Sequence, residues 1–179
     1  MRQVRADAVR SRQRILDAAR EHPRSSLSLN AVARDAGLGV GTVYRHFPTV
    51  HALVEALSVE TLERMVEIAR AASAQDDTRS ALATFLENAL ALQLEDGGLQ
   101  AVLLSPDDEE DDVRALKVEI FESFEAVLDR ARRERLVRDD LTIVQLEHLI
   151  CGVEHAVRLG DHGDRRLFLD VLLGGIRPE

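Results

Sequence analysis

The 179-residue chain is 45% hydrophobic and 31% charged, with 32 acidic against 23 basic side chains and a formal net charge of −9. That balance fits a folded globular chain and argues against disorder, and a single cysteine, Cys151, excludes an internal disulfide. No signal peptide and no apolar run of about 18 residues is read, so a cytoplasmic protein without a membrane segment is expected.

Prolines stand only at 23, 48, 106 and 178, and Ala, Leu, Arg and Glu dominate between them. Helix is favoured throughout and no period-two strand is read. The expected fold is all-α, with a three-helix head over residues 1–48 and a helical body over 49–179. Residues 1 to about 5 read as a loose basic arm. From Ala6 to Glu21 the spacing of Val9, Ile15, Leu16, Ala18 and Ala19 predicts an amphipathic helix. Its other faces carry Arg2, Arg5, Arg10, Arg12 and Arg14, suited to lying along a duplex backbone or entering a minor groove.

The stretch Ser28–Phe47, SLNAVARDAGLGVGTVYRHF, reads as two short helices around a glycine turn, a helix-turn-helix. Leu29, Val32, Ala33 and Ala36 form one apolar stripe. Ser28 stands as an N-cap and Gly37 as the left-handed residue that ends the first helix. In the second helix Val40, Val43 and Phe47 fall on one side, leaving Thr42, Arg45, His46 and the Tyr44 hydroxyl to project as hydrogen-bond donors. Residues 1–51 hold nine Arg and four acids, a net +5, whereas residues 52–179 hold 14 basic and 28 acidic residues, a net −14. A basic head on an acidic body suits a protein that neutralises phosphates at one end only.

GVGTVYRHFP, preceded by SLNAVARDAGL, closely resembles the DNA-binding signature of the TetR (tetracycline-repressor-like) family of bacterial transcriptional regulators. The resemblance covers about the first third of the chain. It implies phosphate contacts from Thr42, Tyr44 and His46, and base contacts from the start of the recognition helix. The DNA-binding set expected on this basis is Ser28, Asn30, Val40, Gly41, Thr42, Tyr44, Arg45 and His46, with Arg45 and Asn30 reading base edges. Two departures from the family pattern are visible: Val50 stands where a Lys or Arg is usual, and the link HPRSSL between the first two helices is short.

In the body, Pro48 is expected at the first position of a long helix reaching about Ala72, with Leu53, Leu57, Leu62, Met65 and Val66 inward. After a polar break at Gln75–Thr78, a helix carrying Leu82, Phe85, Leu86 and Leu90 runs to Gly97–Gly98, and a short apolar piece stops at Pro106. The run DDEEDD, Asp107–Asp112, reads as a solvated loop that starts a helix ending in Arg130, Arg132, Arg133 and Arg135. Thr142 and Gln145 form a capping box for a helix to Leu159 with two apolar stripes, and Leu167–Ile176 is apolar on nearly every side. Such surfaces require a second copy, and the interface residues expected are Leu149, Gly152, Val153, Ala156 and Leu172.

His148 and His155 lie two helical turns apart, about 10 Å, too far to share one metal. No nucleophile elbow, phosphate loop, dinucleotide glycine pattern or HExxH motif occurs, so neither an enzyme nor a cofactor is expected. The resemblance implies a homodimeric, ligand-responsive regulator that represses at a palindromic double-stranded DNA operator and is released by a small-molecule effector. Phe85, Leu103, Phe121, Phe124, Glu154 and His155 are the candidate effector residues. The other reading is an all-α dimeric binding module with weakened DNA affinity that acts through protein partners.

Overall fold

The computed structural model describes residues 2–178, without the side chains of residues 2–5, 25 and 162. Among the described residues regular structure is helical throughout: α1 Arg2–Arg20, α2 Leu29–Asp35, α3 Val40–His46, α4 Val50–Ala74, α5 Thr78–Glu95, α6 Leu99–Leu104, α7 Asp111–Arg133, α8 Ile143–Leu159 and α9 Arg165–Gly175. The head is α1–α3 packed on the start of α4, and the body is α4–α9.

The head closes on Ile15, Leu16 and Ala19 of α1, Leu29, Val32 and Ala33 of α2, Val43 and Phe47, with Leu53 of α4 completing the core. The short link after α1 is taken up by a single 3₁₀ turn, Arg24–Ser26. α1 begins at Arg2, so the basic arm is helical, and Val9 is exposed because the first turns of α1 run past the core. The side chains of Arg2 and Arg5 lie outside the described residues.

α2 ends in a Schellman turn. The Leu38 amide donates to Ala33 O at 2.9 Å and the Gly37 amide to Arg34 O at 3.1 Å. Gly37 holds φ +62°, and a Cβ built there would meet Arg14 Nη2 at 3.1 Å. That guanidinium donates to Ala36 O at 2.5 Å and Gly37 O at 3.4 Å, so α1 satisfies the carbonyl end of α2. Ser28 does sit at the N-cap with an extended backbone, but its hydroxyl accepts no first-turn amide.

Proline 48 precedes α4 rather than opening it. Thr49 is the N-cap and its hydroxyl accepts from the Ala52 amide at 3.0 Å, a bond that a helix begun at Pro48 would forfeit. The capping box before α8 is complete, with the Thr142 amide donating to Gln145 Oε1 at 2.8 Å and the Gln145 amide to Thr142 Oγ1 at 3.2 Å.

The acidic run is only partly solvated. The side chain of Asp108 is buried and pairs with buried Lys117 at 2.6 Å, and the Lys117 ammonium also donates to Val102 O and Ser105 O at the end of α6. The arginines at the end of α7 serve the fold as well: Arg132 donates to Leu141 O, Glu125 and Asp129, and Arg130 to Ala72 O.

Replacing Gly37 with Ala forces a side chain into the left-handed region and against Arg14. Chemical denaturation should show a loss of roughly 1–2 kcal/mol; unchanged stability would mean that this turn does not constrain the head.

Candidate nucleic-acid interface and body cavity

α3 buries Val43 and leaves Val40, Gly41, Tyr44 and Arg45 exposed, with Thr42 and His46 half-buried beside them. Val40, expected on the inner side, is 45% exposed because α3 starts at Val40 itself, after the Gly39 cap, and its first residue points away from the core. Asn30 and Ser28 are exposed at the start of α2. Apart from half-buried Thr42 and His46, the eight expected DNA-binding residues are therefore open to solvent. Gly41 has nothing within 4 Å of where a Cβ would stand. Nothing inside the head calls for glycine there, though glycine in a helix costs about 1 kcal/mol relative to alanine.

Arg45 is folded onto its own helix, its Nε donating to Gly41 O at 3.2 Å and its Nη2 to Thr42 Oγ1 at 3.1 Å. Both bonds are exposed and exchange readily for an outside acceptor. Arg12 lies over the Phe47 ring at 5.0 Å and 3.7 Å from Glu110 Oε2. Arg10 pairs with Asp7 on the same helix face. With Arg20 paired to Asp17 at 2.8 Å and Arg14 capping α2, four of the α1 arginines thus have partners within the protein.

Partial burial, then the charges of Arg12 and Arg45, hold the His46 imidazole below its ordinary value. Near neutral pH it meets an outside oxygen as a neutral N–H donor.

In the body, Phe85, Leu103, Phe121 and Phe124 come together around one cavity, with Met65 of α4 and Glu147 of α8 also on its wall. The cavity volume is about 20 Å³, room for about one water molecule. On its wall the rings of Phe85 and Phe124 stack with 3.6 Å between centroids. No metabolite-sized void lies among these four expected effector residues.

Glu154 and His155 lie elsewhere. Glu154 is buried but pairs with Arg158, which donates to Gln93 O at 2.7 Å and so caps the end of α5. His155 is exposed. Sequence reasoning missed Glu147, whose carboxylate accepts from Gln93 Nε2 at 3.0 Å and from the Cys151 thiol at 3.4 Å. Burial holds this carboxyl above the ordinary carboxylate range. Among the described residues no three His, Cys, Asp or Glu side chains gather as a metal site. Among them too, no helix is long and apolar enough to cross a membrane.

The two apolar stripes of α8 separate cleanly. Leu146, Ile150 and Val157 are buried against the body, whereas Leu149 and Gly152 are exposed, Val153 and Ala156 half-buried, and Leu159 is 78% exposed. On α9, Leu167 and Val171 project outward at 58% and 67% exposure. Leu172, expected at the interface, is buried in its own subunit instead, since α9 turns the Leu169, Leu172 and Ile176 stripe inward.

The architecture is that of a helical regulator: a helix-turn-helix head with a donor-rich recognition helix, joined by one long helix to a body with a closed apolar cavity. The model for "Bacterial regulatory proteins, tetR family" matches residues 15–57, and that for "Transcriptional regulator SbtR-like, C-terminal domain" matches residues 77–178. The chain belongs to the TetR family of bacterial regulatory proteins, with a C-terminal domain of the SbtR-like type. It is 42% identical over 48 residues to HTH-type transcriptional regulator SAB2452 of Staphylococcus aureus (strain bovine RF122 / ET3-1), a match that covers 25% of this chain and 26% of that protein. The chain thus spans about a quarter of that relative's length in the matched region. The TetR transcriptional regulator SCO0520 from Streptomyces coelicolor is 27% identical with a TM-score of 0.55, over 93% of this chain and 98% of that one. A tetR family transcription regulator from Shewanella sp. PV-4 shares the fold at 17% identity and a TM-score of 0.61, over 94% and 99%.

The lowered His46 value makes a signed prediction. The unfolded chain takes up the His46 proton near pH 6.5, the folded chain only at lower pH, so this group subtracts stability as pH falls through that window. Between pH 7 and pH 5 the wild type should lose more stability than His46→Gln. Parallel losses in denaturant titrations would rule the effect out.

Proposed function

We propose that the protein is a homodimeric repressor that binds a palindromic operator through its heads, residues 1–48, and is released when a small molecule enters the cavity of the body, residues 49–179. The observation that carries this reading is α4. Its first turns complete the core of the head through Leu53, and three turns later Met65 stands on the wall of the cavity. A ligand that displaces that wall shifts the helix on which the head is seated, so ligand and operator oppose each other by one reciprocal coupling free energy, typically about 1–3 kcal/mol.

In this reading Ser28, Thr42, Tyr44 and His46 hold phosphates, Val40 and Gly41 lie against the groove, and Arg45 and Asn30 reach base edges. Gly41 admits the duplex closely. The second copy packs against the outward stripes of α8 and α9, with Leu149, Gly152, Val153, Ala156, Leu167 and Val171 at the contact. Gly152 has no heavy atom within 4 Å of a built Cβ, which leaves room for a neighbouring helix.

Action through protein partners alone is not favoured. That alternative rests on Val50, one exposed residue at the start of α4, and a missing cation there removes one phosphate contact.

Selection of genomic DNA by the purified protein tests the reading. Two half-sites should emerge with centres about 34–36 Å apart or a multiple of that spacing. Arg45→Ala should then lose roughly 1–3 kcal/mol on the selected operator at one position of each half-site and less on random duplex. An equal loss on both would remove Arg45 from base reading. Val50→Lys should steepen the salt dependence of binding by about one unit.

The dimer is tested separately by sedimentation. Val171→Glu places a charge on the outward stripe and should give a folded monomer, while a wild type that sediments as a monomer at micromolar concentration would defeat the architecture.

A further inference from the structure

The closed cavity has an open cleft of about 570 Å³ on its outer side, and Leu103, Phe121 and Glu147 line both. Glu147 therefore stands in the wall between solvent and the apolar interior. Both hydrogen bonds it accepts fall on Oε1, from Gln93 and Cys151. Its Oε2 receives no donor from the described residues. Gln93 is buried, and its own Oε1 also has no partner. Acceptors are in excess here and donors are missing.

Charge narrows the choice of what supplies them. The two permanent cations of the cleft are already engaged, Lys117 with Asp108 at 2.6 Å and Arg114 with Asp111 at 2.8 Å, and His148, next to Glu147, is the other basic group on it. Glu122, on the same cleft, has no ion-pair partner among the described residues, so the uncompensated groups are carboxylates. An anionic ligand would face Glu122 and Glu147 together. A hydroxyl would offer one donor and no charge, whereas an ammonium brings three donors and a positive charge that favours the ionised Glu147 against the burial opposing it.

We propose that the body binds a lipophilic amine, with its ammonium held from the cleft side by Glu147 Oε2 and its apolar arm parting the Phe85–Phe124 stack. This rests on the effector-responsive reading above and names the ligand class of that site. Cys151 takes part as a thiol that orients Glu147, since burial and the neighbouring carboxylate push it up to about 12, far from a reactive thiolate.

The test uses three probes of one skeleton, phenylbutylamine, phenylbutanol and phenylbutyrate, titrated calorimetrically into the full-length protein without DNA. The amine should bind roughly tenfold or more tightly than the alcohol, the difference between a charged and a neutral hydrogen bond, and phenylbutyrate should bind most weakly. Glu147→Gln, which keeps an acceptor for Gln93, should erase the amine's advantage and leave alcohol binding in place. If that variant melts early, the order of the three probes on the wild type still decides. Alcohol or carboxylate binding as tightly as the amine, a preference that survives Glu147→Gln, or no binding of any probe would each overturn the proposal. Operator release by phenylbutyrate but not by the amine would overturn the ligand class and keep the regulator reading. Amine binding that leaves operator occupancy unchanged would keep the site and overturn the release mechanism.

Discussion

A buried carboxylate at the junction of head and body holds the rest in register. Glu55, fully buried on the second turn of α4, accepts the Glu109 amide at 3.1 Å on both oxygens and the Glu110 amide at 2.9 Å on Oε2. His51 Nε2 approaches its Oε1 to 2.9 Å, off the line of a hydrogen bond. A carboxylate removed from water is costly unless its oxygens are satisfied, so the segment before α7 is pinned where it stands. Thr49 donates to Glu109 at 2.5 Å and Arg12 approaches Glu110, so the same few residues of acidic loop touch α1, the cap of α4 and its second turn. The head does not hang from α4 alone. The segment before α7 is pinned to α4 and reaches the head through Arg12 and Glu110, and α7 also supplies Ile120, Phe121 and Phe124 to the cavity.

The charge asymmetry of the chain acquires a more exact meaning from these contacts. The positive head is not a uniform cloud of cations facing DNA: Arg14 is spent on the end of α2, Arg12 on Phe47 and the acidic loop, and Arg10 on Asp7. Among the described side chains, the groups open to phosphates on the recognition helix α3 are neutral donors more than charges. Such a surface gains orientation from directed hydrogen bonds more than affinity from counterion release. The acidic loop, placed against Arg12 and Thr49, keeps the body's negative charge close behind the head while its own carboxylates are partly neutralised.

The helices were legible because their apolar periodicity is strong and their punctuation local: Gly37, Thr142–Gln145 and Gly97–Gly98 act within a few residues. Faces were legible less often. Val40 reads inward by spacing, yet it lies outward because the side a first-turn residue presents depends on the residue at which the helix begins. Proline 48 and Thr49 compete for the same helix start, and the hydroxyl's bond to an amide decides it. Glu154 was visible as a polar residue on an apolar helix, and Arg158 four residues later was the signal that it belonged to an ion pair instead of a cavity. Glu147 carried no comparable signal, since its partner Gln93 lies on another helix, and the Glu55 clasp joins residues more than fifty positions apart. The four aromatic and aliphatic cavity residues were found because large side chains on inward stripes of adjacent helices have one interior to share.

The cavity's closed state bears on how release would work. Under the proposed release mechanism, the two phenylalanine rings stacked across α5 and α7 occupy the space a ligand needs, so the ligand-competent form would be a minor one in the absence of ligand and apparent affinity would be reduced by the fraction that is open. Opening must separate α5 from α7, and α7 cannot move as a unit without disturbing the amides that Glu55 holds. A body that opens therefore either loosens the Glu55 clasp or carries the head with it. Both outcomes change the spacing of two heads in a dimer, and a ligand shifts that equilibrium only by its difference in affinity for the two forms. In that mechanism the interior stack and the junction carboxylate would be the two ends of one bistable element, with α7 between them.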